Sequence, residues 1–289
     1  MANKGAGIRS RSHVELDQKE RKKVEERRLP PPHVVFETIR QEGAAELERS
    51  ASALLWSGFA AGLSMGFSLI VTAILHARLP DTPWRPLVES IGYSTGFLVV
   101  VLGRQQLFTE NTLTPVLPIL LAFEARTLRA LARLWGLVLV ANLAGCTVVA
   151  LTLAAAPLFP PPIQDGLRTI AHHTVEATPF ANFWRAIFAG WLIALMVWLL
   201  PSSEGGARPA IVTILTYMIA IGGFPHIVAG SVDTLYELFR GDISLGAAVL
   251  TFFLPTLCGN VLGGTLLVSF LSFGQVFADH VKDGSPTTR

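Results

Sequence analysis

Five stretches of this chain carry no charged residue at all: 50–76, 134–164, 186–203, 209–232 and 243–278. A helix needs about 20 apolar residues to cross the ~30 Å hydrocarbon core of a bilayer, and each run is at or near that length. Residues 1–50 hold 20 of the chain's 44 charges, and another 20 are spread over the 223 residues that follow, up to 273. A soluble fold cannot easily clothe so long a segment with so few charges. The pattern predicts an all-α integral membrane protein and argues against a cytosolic enzyme, a nucleic-acid binder or a disordered scaffold. A net charge of +2 is too small to imply a polyanionic partner.

Two shorter apolar runs, 90–103 and 111–123, lie between the first two long ones. At 1.5 Å per residue each covers about 20 Å, less than the core thickness. Between them stand Arg104, Gln105, Gln106, Leu107, Phe108, Thr109 and Glu110. The two runs therefore read as one spanning element broken in the middle, which brings the spans to six. The fifth span is also interrupted, at Gly222-Gly223-Phe224-Pro225-His226, where two glycines and a proline oppose a continuous helix. Asn142-Leu143-Ala144-Gly145 follows Thr109 by 33 residues, and Asn260-Val261-Leu262-Gly263 follows His226 by 34. Spans two and five are thus each broken, and spans three and six each carry Asn-x-x-Gly at a matching distance. Three spans per half is an odd number, so the halves run inverted: a 3+3 inverted repeat. Broken helices in corresponding positions point to a permeation site near the midplane.

Lysine and arginine set the orientation. With the N-terminus inside, cytoplasmic segments carry 17 of them and external segments five. Both termini are expected in the cytoplasm, in a bacterial-type inner membrane. The expected organisation is a cytoplasmic N-terminal segment over 1–50, a channel domain over 51–276 and a cytoplasmic tail over 277–289. The N-terminal segment, charged and interrupted by proline, has no apolar core of the secretory-signal type. It reads as a solvated or membrane-surface helix.

Single residues carry what chemistry there is. His226 stands alone at the second break. Ionisable groups at membrane depth are costly and tend to mark pathways, and imidazole exchanges a proton near neutral pH. Thr109, taken as its counterpart in the first break, offers a hydroxyl to an anion or to the histidine. Arg104 and Glu110 are expected to bond to each other or to loop carbonyls. Cys146 and Cys258 read as packing residues, and His172-His173 as an exposed vestibule; neither pair suggests a metal, and no cofactor is called for. Gly58, Gly62 and Gly66 form a face for close helix approach, within one protomer or between subunits.

The stretches Leu107-Phe108-Thr109-Glu110-Asn111-Thr112, Gly223-Phe224-Pro225-His226-Ile227-Val228-Ala229 and Gly259-Asn260-Val261-Leu262-Gly263-Gly264 resemble the formate/nitrite transporter family. Asn142-Leu143-Ala144-Gly145 and the run from Phe188 to Trp198 are similar to its third and fourth spans, so the resemblance covers about residues 54–273. It implies an aquaporin-like protomer in a homopentamer, with a pore in each protomer for small monovalent anions of weak acids. By position, His226 matches the family's central histidine and Thr109 the threonine of the loop that breaks span two. Leu107 and Phe108 belong to that loop, and Tyr93 and Phe97 match its apolar constriction. Asn142, Asn260 and Pro225, with Arg104 and Glu110, are structural residues of the breaks. The sequence departs from the family at Pro225 (often Glu), Gly230 and Gly190 (usually Asn) and Ile170 (a basic residue). A pore for small neutral solutes and a non-conducting membrane scaffold or sensor are the alternative readings.

Overall fold

The computed structural model describes residues 17–26, 30–121, 123–268 and 274, and every regular element among them is helical. The tail expected over 277–289 lies outside the described residues. The chain divides into two compact units, residues 1–31 and 32–289. The first contains α1 (Gln18–Glu26), opened by a reciprocal cap in which the Asp17 carboxylate accepts from Glu20 N and the Glu20 carboxylate from Asp17 N.

The second unit starts at α2 (Pro32–Glu48), which belongs with the membrane-type helices that follow and not with a separate segment ending at residue 50. Charge density misplaces that boundary because α2 is amphipathic. Val35, Phe36 and Ile39 are buried against Leu113, Leu117 and Ala194, while Glu37 and Arg40 pair at 2.6 Å on the other side. That guanidinium, with Gln41, holds the Glu37 carboxyl down at about 2.

Among the described residues, four helices are long and apolar enough to cross a membrane: α3 (Ala51–Arg78), α6 (Ala125–Ala155), α8 extended by a 3-10 turn (Pro179–Ser202), and the last column, Leu245–Thr265. That column alternates α11 (Leu245–Ala247), a π segment (Ala248–Phe253), α12 (Leu254–Val261) and a second π segment (Leu262–Val268). Between α3 and α6 come α4 (Arg85–Leu102) and the short α5 (Val116–Leu121). The charges of Arg85 and Glu89 cut the apolar run short, but the helix accommodates both, so α4 spans about 27 Å at 1.5 Å per residue. Amphipathic α7 (Pro161–Val175) links α6 to α8, and α9 (Ala207–Ile221) and α10 (Ala229–Arg240) flank the second break.

Two close helix pairs frame the interior. A side chain at Gly62 of α3 would strike the backbone carbonyl of Asn142 on α6, and one at Gly190 of α8 would strike that of Asn260 on α12. The glycine face of α3 is therefore used within the protomer. The absence of asparagine at Gly190 lets α8 approach α12 closely. Large apolar side chains such as Trp56, Val140, Phe180 and Leu250 face outward.

Candidate functional site

The two breaks are built by the same backbone moves. Helix α4 ends with Gly103 N donating to Val99 O and Gln105 N to Val100 O; α9 ends with Gly222 N donating to Met218 O and Phe224 N to Ile219 O. The residue in between has left-handed φ in both, +51° at Arg104 and +57° at Gly223. Glycine adopts that conformation freely and arginine does not.

Past each turn the chain re-enters the interior, where an asparagine holds it. Asn142 Nδ2 donates to Gln106 O and to Gly58 O, both at 2.8 Å, and its Oδ1 accepts from Phe108 N at 2.9 Å. Asn260 Nδ2 donates to Pro225 O at 3.0 Å and Ala186 O at 2.8 Å, and its Oδ1 accepts from Ile227 N at 2.8 Å. One buried carboxamide thus satisfies a carbonyl and an amide two residues apart that no helix can reach.

This register corrects a sequence expectation. Gln106 pairs with Pro225 and Phe108 with Ile227, so the residue matching His226 is Leu107, not Thr109. Thr109 instead completes the site from the other break: its Oγ1 lies 2.7 Å from His226 Nε2, with both residues buried. His226 Nδ1 accepts from Ala229 N at 3.2 Å, which places the proton of the neutral ring on Nε2 and makes Thr109 Oγ1 its acceptor. The threonine keeps its own O–H to donate. The Phe97 ring meets the imidazole edge-on, with centroids 4.9 Å apart, and Tyr93 continues the aromatic file at 5.3 Å.

Four of the expected site residues, His226, Thr109, Phe97 and Tyr93, therefore meet, and Leu107 is buried in the same core. Phe108 is buried too, but its ring packs on Trp135 of α6, 5.9 Å away. Pro225 offers its carbonyl to Asn260. Arg104 and Glu110 do not bond to each other. The left-handed turn sends Arg104 outward, 83% exposed, to Glu42 of α2 at 3.7 Å, while Glu110 opens a 3-10 turn with its Oε1 buried and unpartnered. His172 and His173 are exposed and bond to Glu237 and Glu176. At Gly230, a side chain would meet the Phe252 ring, which takes up the space an asparagine would need.

Several contributors escape sequence reasoning. Asn111 braces the first break, its Nδ2 donating to Gln106 Oε1 at 2.9 Å. Glu46 of α2 accepts from Gln106 Nε2 at 3.0 Å. Asp233 and Glu237 stand buried one turn apart on α10. Their i, i+4 spacing just past an apolar run was the available signal.

Known proteins show the same architecture. The structure overlays an "FNT family ion channel" with a TM-score of 0.71 at 21% identity, covering 85% of this chain and 99% of the other. It overlays a "Pentameric formate channel with formate bound" with a TM-score of 0.67 at 18% identity, covering 79% and 98%. In sequence it is 42% identical over 270 residues to "Inner membrane protein YfdC" of Escherichia coli (strain K12), covering 92% of this chain and 87% of that one. The family model described as "Formate/nitrite transporter" matches residues 33–274, and on that evidence the chain belongs to the formate/nitrite transporter family.

Proposed function

We propose that the chain is an inner-membrane channel for small monovalent weak acids and their anions, formate and nitrite among them, with the His226–Thr109 pair at its centre. As a family member it is a transport protein and not an enzyme. Counting α4–α5 and α9–α10 as one broken span each gives six spans in a 3+3 inverted repeat. The excess of Lys and Arg in the first 50 residues supports cytoplasmic termini. A homopentamer accords with the outward-facing apolar side chains and with the likeness to a pentameric formate channel.

The observation that carries the reading is the hydrogen bond between Thr109 and His226, which joins the two breaks in a buried, otherwise apolar centre. A substrate oxygen there finds the Thr109 O–H, whose oxygen already accepts the Nε2–H of the imidazole, and the N-terminal end of α10, whose partial positive charge favours an anion. Next to it stands Phe97, which replaces no lost hydration. A bare anion pays most of its desolvation cost at that ring, and the neutral acid pays little. The substrate therefore passes the aromatic file with a proton, and His226 is the group placed to orient or exchange it.

Formate uptake by proteoliposomes at two pH values tests this. His226→Asn keeps a hydrogen-bonding side chain but cannot exchange a proton; it is expected to alter the pH dependence or the selectivity. Flux and pH profile identical to wild type would refute a role for the histidine.

A further inference from the structure

The outer half of the second break carries groups that the Thr109–His226 pair leaves unused. Gly230 N donates to His226 O at 2.9 Å, so the helical winding of α10 reaches back to the histidine. Seven residues on, close to two full turns, Asp233 stands on the face that His226 occupies, and Glu237 follows one turn later. Gly230, between them on that face, has no side chain. Both carboxyl groups are buried, Asp233 8% exposed and Glu237 2%. The stripe ends at water: His172 of α7, with 60% of its side chain exposed, has Nδ1 3.2 Å from Glu237 Oε2.

From α7, Thr174 Oγ1 donates to Asp233 Oδ2 at 2.9 Å, and among the described residues no lysine or arginine pairs with Asp233 or Glu237. The cations nearby are engaged, Arg240 with Asp242 at 3.0 Å and Arg168 with Asp165 at 3.7 Å, and Glu176 lies against both His172 and His173. Tyr93 of the aromatic file and Cys146 of α6 lie within the field of Asp233. On α3, His76 bonds Glu89 of α4 at 2.8 Å and Arg78 is exposed. The π segment Ala248–Phe253, which also packs on α10, brings no titratable group. Asp233 is thus a carboxyl group beside the aromatic file, connected to outside water through Glu237 and His172 and paired with no lysine or arginine.

We propose that Asp233 is the proton donor for the substrate: it protonates the weak-acid anion at the outer end of the aromatic file and recovers its proton from external water through Glu237 and His172. The proposal rests on the transport reading above and supplies the proton which that reading requires; the Thr109–His226 pair then receives the acid and orients it. In the step, the O–H bond of the Asp233 carboxyl breaks as an O–H bond forms on the substrate oxygen, giving the undissociated acid and the Asp233 carboxylate. Glu237 gives its proton to that carboxylate across one helical turn, about 6 Å between Cβ atoms. It regains one from His172, which takes its own from hydronium. No electrons are exchanged, and outward movement runs the steps in reverse. A carboxyl suits the step: Asp233 and formic acid are both carboxylic acids, and the proton moves between them with little change in free energy. The protonated group draws the anion in by its O–H, and the carboxylate forms only as the substrate becomes neutral.

Formate influx into proteoliposomes, at fixed total formate and stepped external pH and less that of protein-free vesicles, tests this. Where only acid formed in solution passes, influx falls about tenfold per pH unit above the acid's own pKa. Wild type should fall more shallowly, because Asp233 protonates anion that solution leaves ionised. Asp233→Asn should take the steep slope, losing about tenfold or more at neutral pH yet approaching wild type at the acid end, where solution supplies the acid. Asp233→Glu, which keeps a carboxyl, should keep the shallow slope. Glu237→Gln should lower influx at neutral pH and leave it unchanged at the acid end. An Asp233→Asn profile identical to wild type, or lowered by one factor at every pH as a packing defect would lower it, overturns the proposal and leaves the transport reading standing. Should that variant not melt as wild type does, a Glu237→Gln profile equal to wild type overturns it instead. No wild-type formate influx at any pH, with the protein intact by thermal melt, overturns the transport reading and the proposal with it.

Discussion

Removing the Asn142 carboxamide is the sharpest test of how the first break is held. Three hydrogen bonds at 2.8–2.9 Å converge on this fully buried side chain. At about 0.6 kcal/mol per bond, the average measured inside membranes, their direct loss comes to about 2 kcal/mol. What they leave behind matters more. Gly58 O lies within helix α3, but Gln106 O and Phe108 N lie where no helix reaches them. Each costs about 1–3 kcal/mol when buried unpaired, so the expected loss is about 2–6 kcal/mol. Asn142→Leu, which has the same branched outline and heavy-atom count but is bulkier, leaves no cavity, so its loss is not a cavity effect. Asn142→Asp should be the worse of the two, because it retains the acceptor for Phe108 but turns a carboxylate oxygen onto two carbonyl oxygens. Unfolding in mixed detergent micelles, followed by intrinsic tryptophan fluorescence, gives the ranking wild type, then Leu, then Asp. The matching substitutions at Asn260, with bonds of 2.8–3.0 Å, should lose a similar amount. A loss under about 1 kcal/mol for Asn142→Leu, or an aspartate as stable as wild type, would refute the clamp.

Two further substitutions probe the backbone. Arg104→Gly should stabilise the protein by about 1 kcal/mol, because relief of the left-handed conformation at +51° outweighs an exposed pair with Glu42; a higher unfolding midpoint checks it. Gly190→Ala should destabilise by about 1–3 kcal/mol, since the new methyl meets the Asn260 carbonyl and α8 must move away from α12. An unfolding midpoint equal to wild type would show that the two helices have room to spare.

The all-helical fold and the ends of α4 and α9 at Gly103 and Gly222 were legible from charge and helix-breaker patterns, because a bilayer punishes exposed backbone whatever the details of packing. Gly222 and Gly223 announce the second break by conformational freedom. The first has no such mark at Arg104, and only the interruption of apolar runs exposes it. Register was not legible. The spacings of 33 and 34 residues to the two asparagines suggested Thr109 as the counterpart of His226, whereas the carboxamide bonds align His226 with Leu107. A spacing measured along sequence cannot tell which backbone amide a distant side chain will satisfy. The membership of α2 was hidden for a similar reason, since its charges dominate its composition while Val35, Phe36 and Ile39 fix its place.

The corrected register changes how the centre is understood. Two equivalent breaks, clamped alike, would present equivalent side chains, and a centre holding two leucines or two histidines would follow from symmetry alone. Here the matched positions hold Leu107 and His226, and the hydroxyl that meets the imidazole comes from two residues further along the first break, where the second has Val228. The backbone repeats and the chemistry does not. A polar group at this depth is stable only if its partner is fixed, and Asn142 fixes Thr109 through Phe108 as Asn260 fixes His226 through Ile227. The 2.7 Å contact between Thr109 and His226 thus depends on both clamps at once. Loosening either asparagine should weaken that contact, and with it any transport that needs the pair.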